Sequence, residues 1–263
     1  MLPVTISQQI LSVLSGAMVG FILGLIGGGG SILAVPLLLY VVGYHDTHVV
    51  IGTSALAVAL TAYANLAPHW RAGSIRWKPA IAFAIPGALG AAIGASVGKA
   101  VGGKQLLMFF ALLMIVVALT MVRPRRVVKP RPERTGRAML FSVVPVSLGV
   151  GLLAGFFGIG GGFLIVPGLM FSAGLPILAA VGSSLVSVGT FGTTTAITYA
   201  IAGKVNWLIA LEFFAGGVVG GWVGVWLAVR LGAHKQTLTR VFAGVVFLVA
   251  LYMLFMNLGA LHL

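Results

Sequence analysis

A glycine-rich segment occurs twice in this chain, 131 positions apart. Residues 19–36 read VGFILGLIGGGGSILAVP and residues 150–167 read VGLLAGFFGIGGGFLIVP, with five glycines and the final proline in register. After a shift of one residue the match continues through GTS and GSS, at 52 and 182, and through GSIRW and GKVNW, at 73 and 203. Two fused copies of about 130 residues are typical of transporters built from structural repeats.

The composition predicts a protein that resides in a lipid bilayer. The chain is 60% hydrophobic and only 7% charged, with a mean hydropathy of +1.15, which is more apolar surface than a soluble core of this size can bury. Apolar stretches of roughly 18–25 residues are long enough to cross the hydrocarbon region as helices. We therefore expect an all-α, multi-pass protein of the cell inner membrane. The predicted spans are Gln8–Ile26, His48–Pro68, Pro79–Val97, Gln105–Val122, Ala138–Phe157, Ala179–Ile201, Leu208–Leu227 and Leu238–Leu258.

The net charge of +13 does not indicate nucleic-acid binding. The basic residues lie in loops between apolar spans, as expected for the cytoplasmic loops of a membrane protein. The absence of cysteine excludes disulfides and thiolate metal sites, and His45, Asp46 and His48 are too scattered to form a metal site. No cofactor is predicted. The N-terminal segment has no basic n-region or cleavage pattern, so we interpret it as part of the first span rather than a removed signal peptide.

The sequence predicts three parts, an N-terminal membrane repeat (1–122), a basic cytoplasmic linker (123–137) and a C-terminal membrane repeat (138–263). In each repeat a long span is followed by a glycine turn and a short apolar segment, Ser31–Tyr44 or Phe163–Leu175. Such a segment is too short for a full crossing and is typical of a re-entrant half-helix. Each repeat would therefore consist of a helical hairpin and three further transmembrane helices. Three crossings are an odd number, so the second repeat would be inverted relative to the first.

The loop charges favour this inverted arrangement. It places thirteen basic residues inside and only Lys99, Lys104 and Lys204 outside, whereas a parallel arrangement gives eleven and five. Both termini would then lie outside the cell. The parallel arrangement remains the alternative, and the sequence does not indicate an oligomeric state.

The paired glycine turns and the hydroxyls that follow them are the candidate substrate site. Backbone N–H groups of a glycine run, together with the N-terminus of a short helix, bind anions well. Hydroxyl donors without nearby carboxylates suit an oxyanion. The alternatives are close packing of helices through the glycines and hydroxyls that bond to their own helix. The candidate residues are Gly27, Gly29, Gly30, Ser31, Thr53, Ser54, Gly158, Gly160, Gly161, Gly162, Ser183 and Ser184.

Three charged or titratable residues are further candidates. Glu212 lies within a predicted span, where a carboxylate is costly, which suggests proton coupling; a side chain that reaches the membrane interface is the alternative. His69 and Arg71, beside Pro68 and Trp70 at a membrane edge, are candidates for gating or for attracting anions. As the alternative, they anchor the cytoplasmic end of a span.

The motif pairs GLIGGGGSILAVP and GFFGIGGGFLIVP, with GTS and GSS and with HWRAGSIRW and YAIAGKVNW, resemble the TauE/SafE family of sulfite-exporter-like anion permeases. The resemblance covers nearly the whole chain. It implies secondary transport, with export expected, of a small anion such as sulfite or an organosulfonate, by alternating access at the two glycine turns. A passive anion channel with the same site is the alternative. An intramembrane enzyme is disfavoured because no His-Glu-x-x-His or Gly-x-Ser-x-Gly motif is present, and a membrane scaffold would not need the paired turns.

Overall fold

The computed structural model describes residues 5–26, 28–122, 136–230 and 235–257, and every regular element in these ranges is helical. Seven of the described helices are long and apolar enough to cross a membrane, which confirms the predicted all-α membrane protein. The helices are α1 (Ile6–Ile26), α2 (Ala34–Pro36), α3 (Thr47–Arg71), α4 (Trp77–Ala100), α5 (Gly103–Val122), α6 (Gly136–Phe157), α7 (Gly162–Ser172), α8 (Ile177–Ile201), α9 (Trp207–Arg230) and α10 (Lys235–Asn257).

The two short segments that follow the glycine turns differ from each other in helical type. The first combines a 3-10 helix, Gly28–Leu33, with the three residues of α2 and a π-helical turn, Leu37–Val41. The second is α7, an α-helix of 11 residues. Eleven residues rise about 16 Å, roughly half of the hydrocarbon thickness. Each segment ends near a glycine with positive φ, Gly43 at 81° and Gly174 at 74°, a conformation that glycine adopts without strain.

Helices of one half pack mainly on helices of the other half. α1 packs on α9, α4 on α6, α3 on α8, α5 on α10, α3 on α9 and α4 on α8. Matching α1, α3, α4 and α5 with α6, α8, α9 and α10, as the sequence repeat does, and exchanging the two halves leaves this set of pairs unchanged. The halves are therefore intertwined through equivalent contacts.

The close contacts fix the relative direction of the paired helices. Successive glycines of α1 approach the α9 backbone in rising order, Gly16 at Phe213, Gly20 at Gly217 and Gly24 at Gly221, so these two helices run parallel. The same order relates α4 and α6, where Gly90, Gly94 and Gly98 approach Leu148, Leu152 and Phe156. The α3–α8 contacts run in falling order, with Gly52 at Tyr199 and Tyr63 at Gly189. These two helices are therefore antiparallel.

The centre of the molecule is formed by α3 and α8, which are the most buried of the spanning helices in the described part. Outer helices expose rows of large apolar side chains, such as Ile81, Ile85 and Leu89 on α4. Their spacing of four residues puts them on one helix face, where lipid solvates them. The small residues point inward and let the backbones approach closely, as is common between transmembrane helices.

Candidate functional site

The second glycine turn reaches the place where α3 and α8 cross. Gly158, Gly160 and Gly161 have φ values of 69°, 63° and 67°, in the left-handed region that other residues rarely adopt. A Cβ atom placed on Gly160 would lie 3.4 Å from Val58 of α3 and 3.3 Å from Val188 of α8. These two valines stand at matching positions of the repeat, so the turn lies where the halves meet. The glycines are therefore needed for the backbone conformation of the turn, whether or not a ligand binds there.

The first glycine turn has another conformation but meets the same centre. Gly27 lies outside the described residues, and Gly29, Gly30 and Ser31 are buried within the 3-10 segment. Gly30 packs on the α1 backbone near Val19, so the chain folds back on α1 as a hairpin. The 3-10 segment contacts both α7 and α8. The structure thus brings together the two short segments that contain the candidate glycines. The remaining candidate glycine, Gly162, is the first residue of α7.

The four candidate hydroxyls on α3 and α8 form two kinds of contact, repeated in both halves. Thr53 Oγ1 accepts a hydrogen bond of 2.9 Å from the Asn206 N–H, and Ser183 Oγ accepts one of 2.9 Å from the Arg76 N–H. The first bond joins the start of α3 to the loop before α9, and the second joins the start of α8 to the loop before α4. An accepting hydroxyl keeps its own proton for another acceptor.

The second member of each hydroxyl pair bonds to its own helix. Ser54 Oγ donates to the Ile51 carbonyl at 3.0 Å, and Ser184 Oγ donates to the Val181 carbonyl at 2.7 Å. Both side chains are fully buried. Their protons are engaged in the structure, as the alternative interpretation of these residues expects.

Glu212 lies on α9 beside a small polar cluster formed by residues of both halves. One of its carboxylate oxygens, Oε2, is buried, and it has no hydrogen-bond partner among the described residues. Nearby, the Asn206 side-chain amide donates to the Tyr44 hydroxyl at 2.8 Å. Burial, and next the charge of Glu212, raise the pKa of Tyr44, so this hydroxyl remains protonated and can act as a donor. The first half has Ala82 at the position that corresponds to Glu212, so this acid occurs in one repeat only.

An ion pair joins the two halves outside the spanning helices. Lys204 Nζ lies 3.0 Å from Asp46 Oδ2, with the side chains 42% and 46% exposed. Asp46 also caps α3 by accepting from the N–H groups of His48 and Val49. Burial by itself raises the pKa of Asp46, but the hydrogen bond from Lys204 and those from the two N–H groups outweigh it, and the net direction is down.

The two gating candidates lie in the last turn of α3. His69 is buried, with Nδ1 at 3.0 Å from the Ser74 hydroxyl, and Arg71 is exposed. Their end of α3 is opposite the end that carries Asp46, so the structure does not bring them together with the Glu212 cluster.

Two asparagines important to this arrangement were not selected from the sequence. Asn206 caps α9, since its Oδ1 accepts from the Ile209 N–H at 3.2 Å, and an asparagine just before an apolar span is a recognisable signal for that role. Asn65 is fully buried on α3. In the sequence it continues the polar face formed by Ser54 and Thr61, a pattern that suits an oxyanion or hydrogen bonds between helices, with no sign of its surroundings.

The chain is similar over nearly its whole length to known membrane transporter proteins. The family model described as sulfite exporter TauE/SafE matches residues 12–253. A "Probable membrane transporter protein" from Xylella fastidiosa (strain Temecula1) is 49% identical over 259 residues, which cover 98% of this chain and 99% of that protein. The "Probable membrane transporter protein YunE" from Bacillus subtilis (strain 168) is 27% identical, covering 88% and 91%. No solved structure matches the chain.

Proposed function

We propose, because this chain belongs to the sulfite exporter TauE/SafE family, that it exports small anions such as sulfite or organosulfonates by alternating access. The membership identifies a multi-pass membrane transporter and not an enzyme. The observation that carries the proposal is the meeting of the two glycine-turn segments at the centre of the molecule. Both repeats thus contribute the corresponding segment, in different backbone conformations, to one place, as expected for a site between two halves that move against each other.

The arrangement of the halves that we propose is an inverted one, with a pseudo-two-fold axis in the membrane plane. The antiparallel direction of α3 and α8, which correspond in the repeat, supports it. The ion pair gives independent support. Asp46 precedes α3 and Lys204 follows α8, so parallel repeats would place these residues at opposite membrane faces.

The glycine turns and their neighbouring hydroxyls would bind the anion. Hydrocarbon gives an anion no hydration, so the protein must replace water with hydrogen-bond donors. Gly161 precedes α7, no side chain caps this helix, and α7 can direct the positive end of its dipole toward a bound anion. In the described part, the acidic residues are Asp46, which directly precedes α3, and Glu212 on α9. Few carboxylates therefore repel such a ligand.

Glu212 is the residue that would couple transport to a proton. Its unpartnered oxygen makes the charged form costly inside the membrane, so protonation can accompany the change between the two orientations of the site. A passive anion channel has no need of such a group.

Uptake into proteoliposomes tests the proposal. The purified full chain would be assayed with labelled sulfite, thiosulfate, sulfoacetate and sulfate, each with and without a pH gradient. We expect saturable uptake of at least one anion that the gradient accelerates or drives above equilibrium. Non-saturable flux that ignores the gradient would identify a channel, and the absence of flux for all four anions would contradict the substrate class.

A further inference from the structure

A fully buried side-chain amide without a hydrogen-bond partner lies in the second half of α3. Asn65 is 0% exposed, and neither its Oδ1 nor its Nδ2 has a partner in the part of the chain that the structure describes. An asparagine offers two donor hydrogens and an acceptor oxygen. Leaving all of them unpaired costs folding free energy that leucine at the same place would not cost. Such a group in a native structure requires an explanation, and a ligand that pairs with it is one.

The neighbouring helices leave room for this amide beside the first glycine turn. Gly221 of α9 faces Asn65, and a Cβ atom placed there would collide with both polar atoms of the amide. Gly24, close to the end of α1, approaches the same Gly221. Asn65 therefore lies where α1, α3 and α9 meet, at the end of α1 that leads into the turn.

The other half has an unpartnered polar group at the corresponding position. Thr195 stands 130 residues after Asn65, is 0% exposed, and its Oγ1 has no partner among the described residues. Many hydroxyls on the same two helices bond within their own helix, as Thr61 does to Ala57 and Thr194 does to Thr190, at 2.8 and 2.9 Å. Two further buried hydroxyls of α8, those of Ser187 and Tyr199, also lack a partner among the described residues. At the position of Asn65 and Thr195, however, the missing partner concerns a small polar side chain in both repeats.

We propose that Asn65 binds the transported anion through its side-chain N–H groups, with Thr195 as its weaker counterpart in the second half. This inference rests on the proposed function. An oxyanion accepts from a neutral amide, and a neutral donor holds the anion weakly enough for release. Glu212 lies nine residues before Gly221 on α9, about 13 Å along the helix axis, too far to accept a hydrogen bond from the Asn65 amide.

The experiment compares Asn65→Leu with Thr61→Val, a control one turn away whose hydroxyl bonds to its own helix. For Asn65→Leu we expect the KM for the anion that wild type carries, among labelled sulfite, thiosulfate, sulfoacetate and sulfate, to rise about ten- to hundredfold. This is the range that one hydrogen bond to a charged group carries. The thermal unfolding temperature should stay the same or rise, because the unpaired amide is gone. Thr61→Val should keep the wild-type KM.

Asn65→Thr serves as a second variant if Asn65→Leu does not fold. It keeps one donor with a shorter reach, so its KM should rise less than that of the leucine variant. A wild-type KM in a folded Asn65→Leu protein, or in Asn65→Thr when only that variant folds, would overturn this inference alone. A wild type that carries none of the four anions would overturn the proposed function and this inference together.

Discussion

Two neighbouring hydroxyls at the start of α3 should differ in how much they contribute to stability. Thr53→Val should lower the free energy of unfolding by about 1–3 kcal/mol, because it leaves the buried Asn206 N–H without its acceptor. Ser54→Ala is the matched control. Its hydroxyl donates to a carbonyl of its own helix, and the loss should stay below about 0.5 kcal/mol. Thermal unfolding of both proteins in one detergent measures the difference, and equal stabilities would contradict it.

The second single-residue prediction concerns the intramembrane acid. Glu212→Gln should fold and still carry the anion, but transport should no longer depend on pH, because an amide cannot take up the proton. Asp46→Asn is the control for a carboxylate outside the spans, and its transport should keep the wild-type pH profile. Uptake rates between pH 5 and 8 provide the test. An unchanged profile in Glu212→Gln would assign this residue to structure.

Rows of glycine act as contact surfaces between helices, and the effect of adding a side chain to them can be predicted. Gly20→Ala should lower stability by roughly 1–3 kcal/mol, because the added Cβ would meet the Gly217 carbonyl of α9. Gly149 of α6 has no atom within 4 Å of the equivalent position. Gly149→Ala should instead stabilise the protein by about 0.5–1 kcal/mol through helix propensity. The opposite order in thermal unfolding would show that α1 and α9 are not closely packed.

The start of α3 should give the protein a component of acid sensitivity. Since the net pKa of Asp46 is lowered, its contribution to stability is present above the ordinary carboxyl value and is lost as the pH falls through the folded value. Asp46→Asn keeps a capping side chain but cannot titrate. Its stability should therefore fall less than that of wild type between about pH 5 and pH 3. Parallel losses in the two proteins would show that Asp46 does not contribute.

For the molecule as a whole, the inverted arrangement predicts which loops share a membrane face. The chain has no cysteine, so single variants report cleanly. A membrane-impermeant maleimide added to intact cells should label Asp46→Cys and Lys204→Cys, but not Arg71→Cys at the other end of α3. Labelling of Asp46→Cys and Lys204→Cys from opposite sides would exclude the inverted arrangement.

The sequence predicted where the helices lie and which helices correspond between the two repeats. It did not predict which helices pack against each other. Apolar length and the positions of the glycines located the spans and both short segments. A row of glycines does not reveal which helix it meets, since Gly217 contacts Gly20, far away in the chain. The bond from Asn206 to Thr53 likewise joins residues 153 positions apart. The local 3-10 and π geometry of the first short segment also depends on packing that no local pattern encodes.

The pairing of α1 with α9 has a consequence for biosynthesis. At ~5–20 residues per second, α9 leaves the ribosome roughly ten to forty seconds after the α1 residues that it packs against. During this time the glycine surface of α1 lacks the helix that it packs against, and α4 likewise lacks α6 until α6 is made. The nascent first half therefore lacks most of its packing partners in the bilayer. A ribosome that stalls before α9 leaves a fragment with an uncovered glycine surface, which quality-control proteases can recognise.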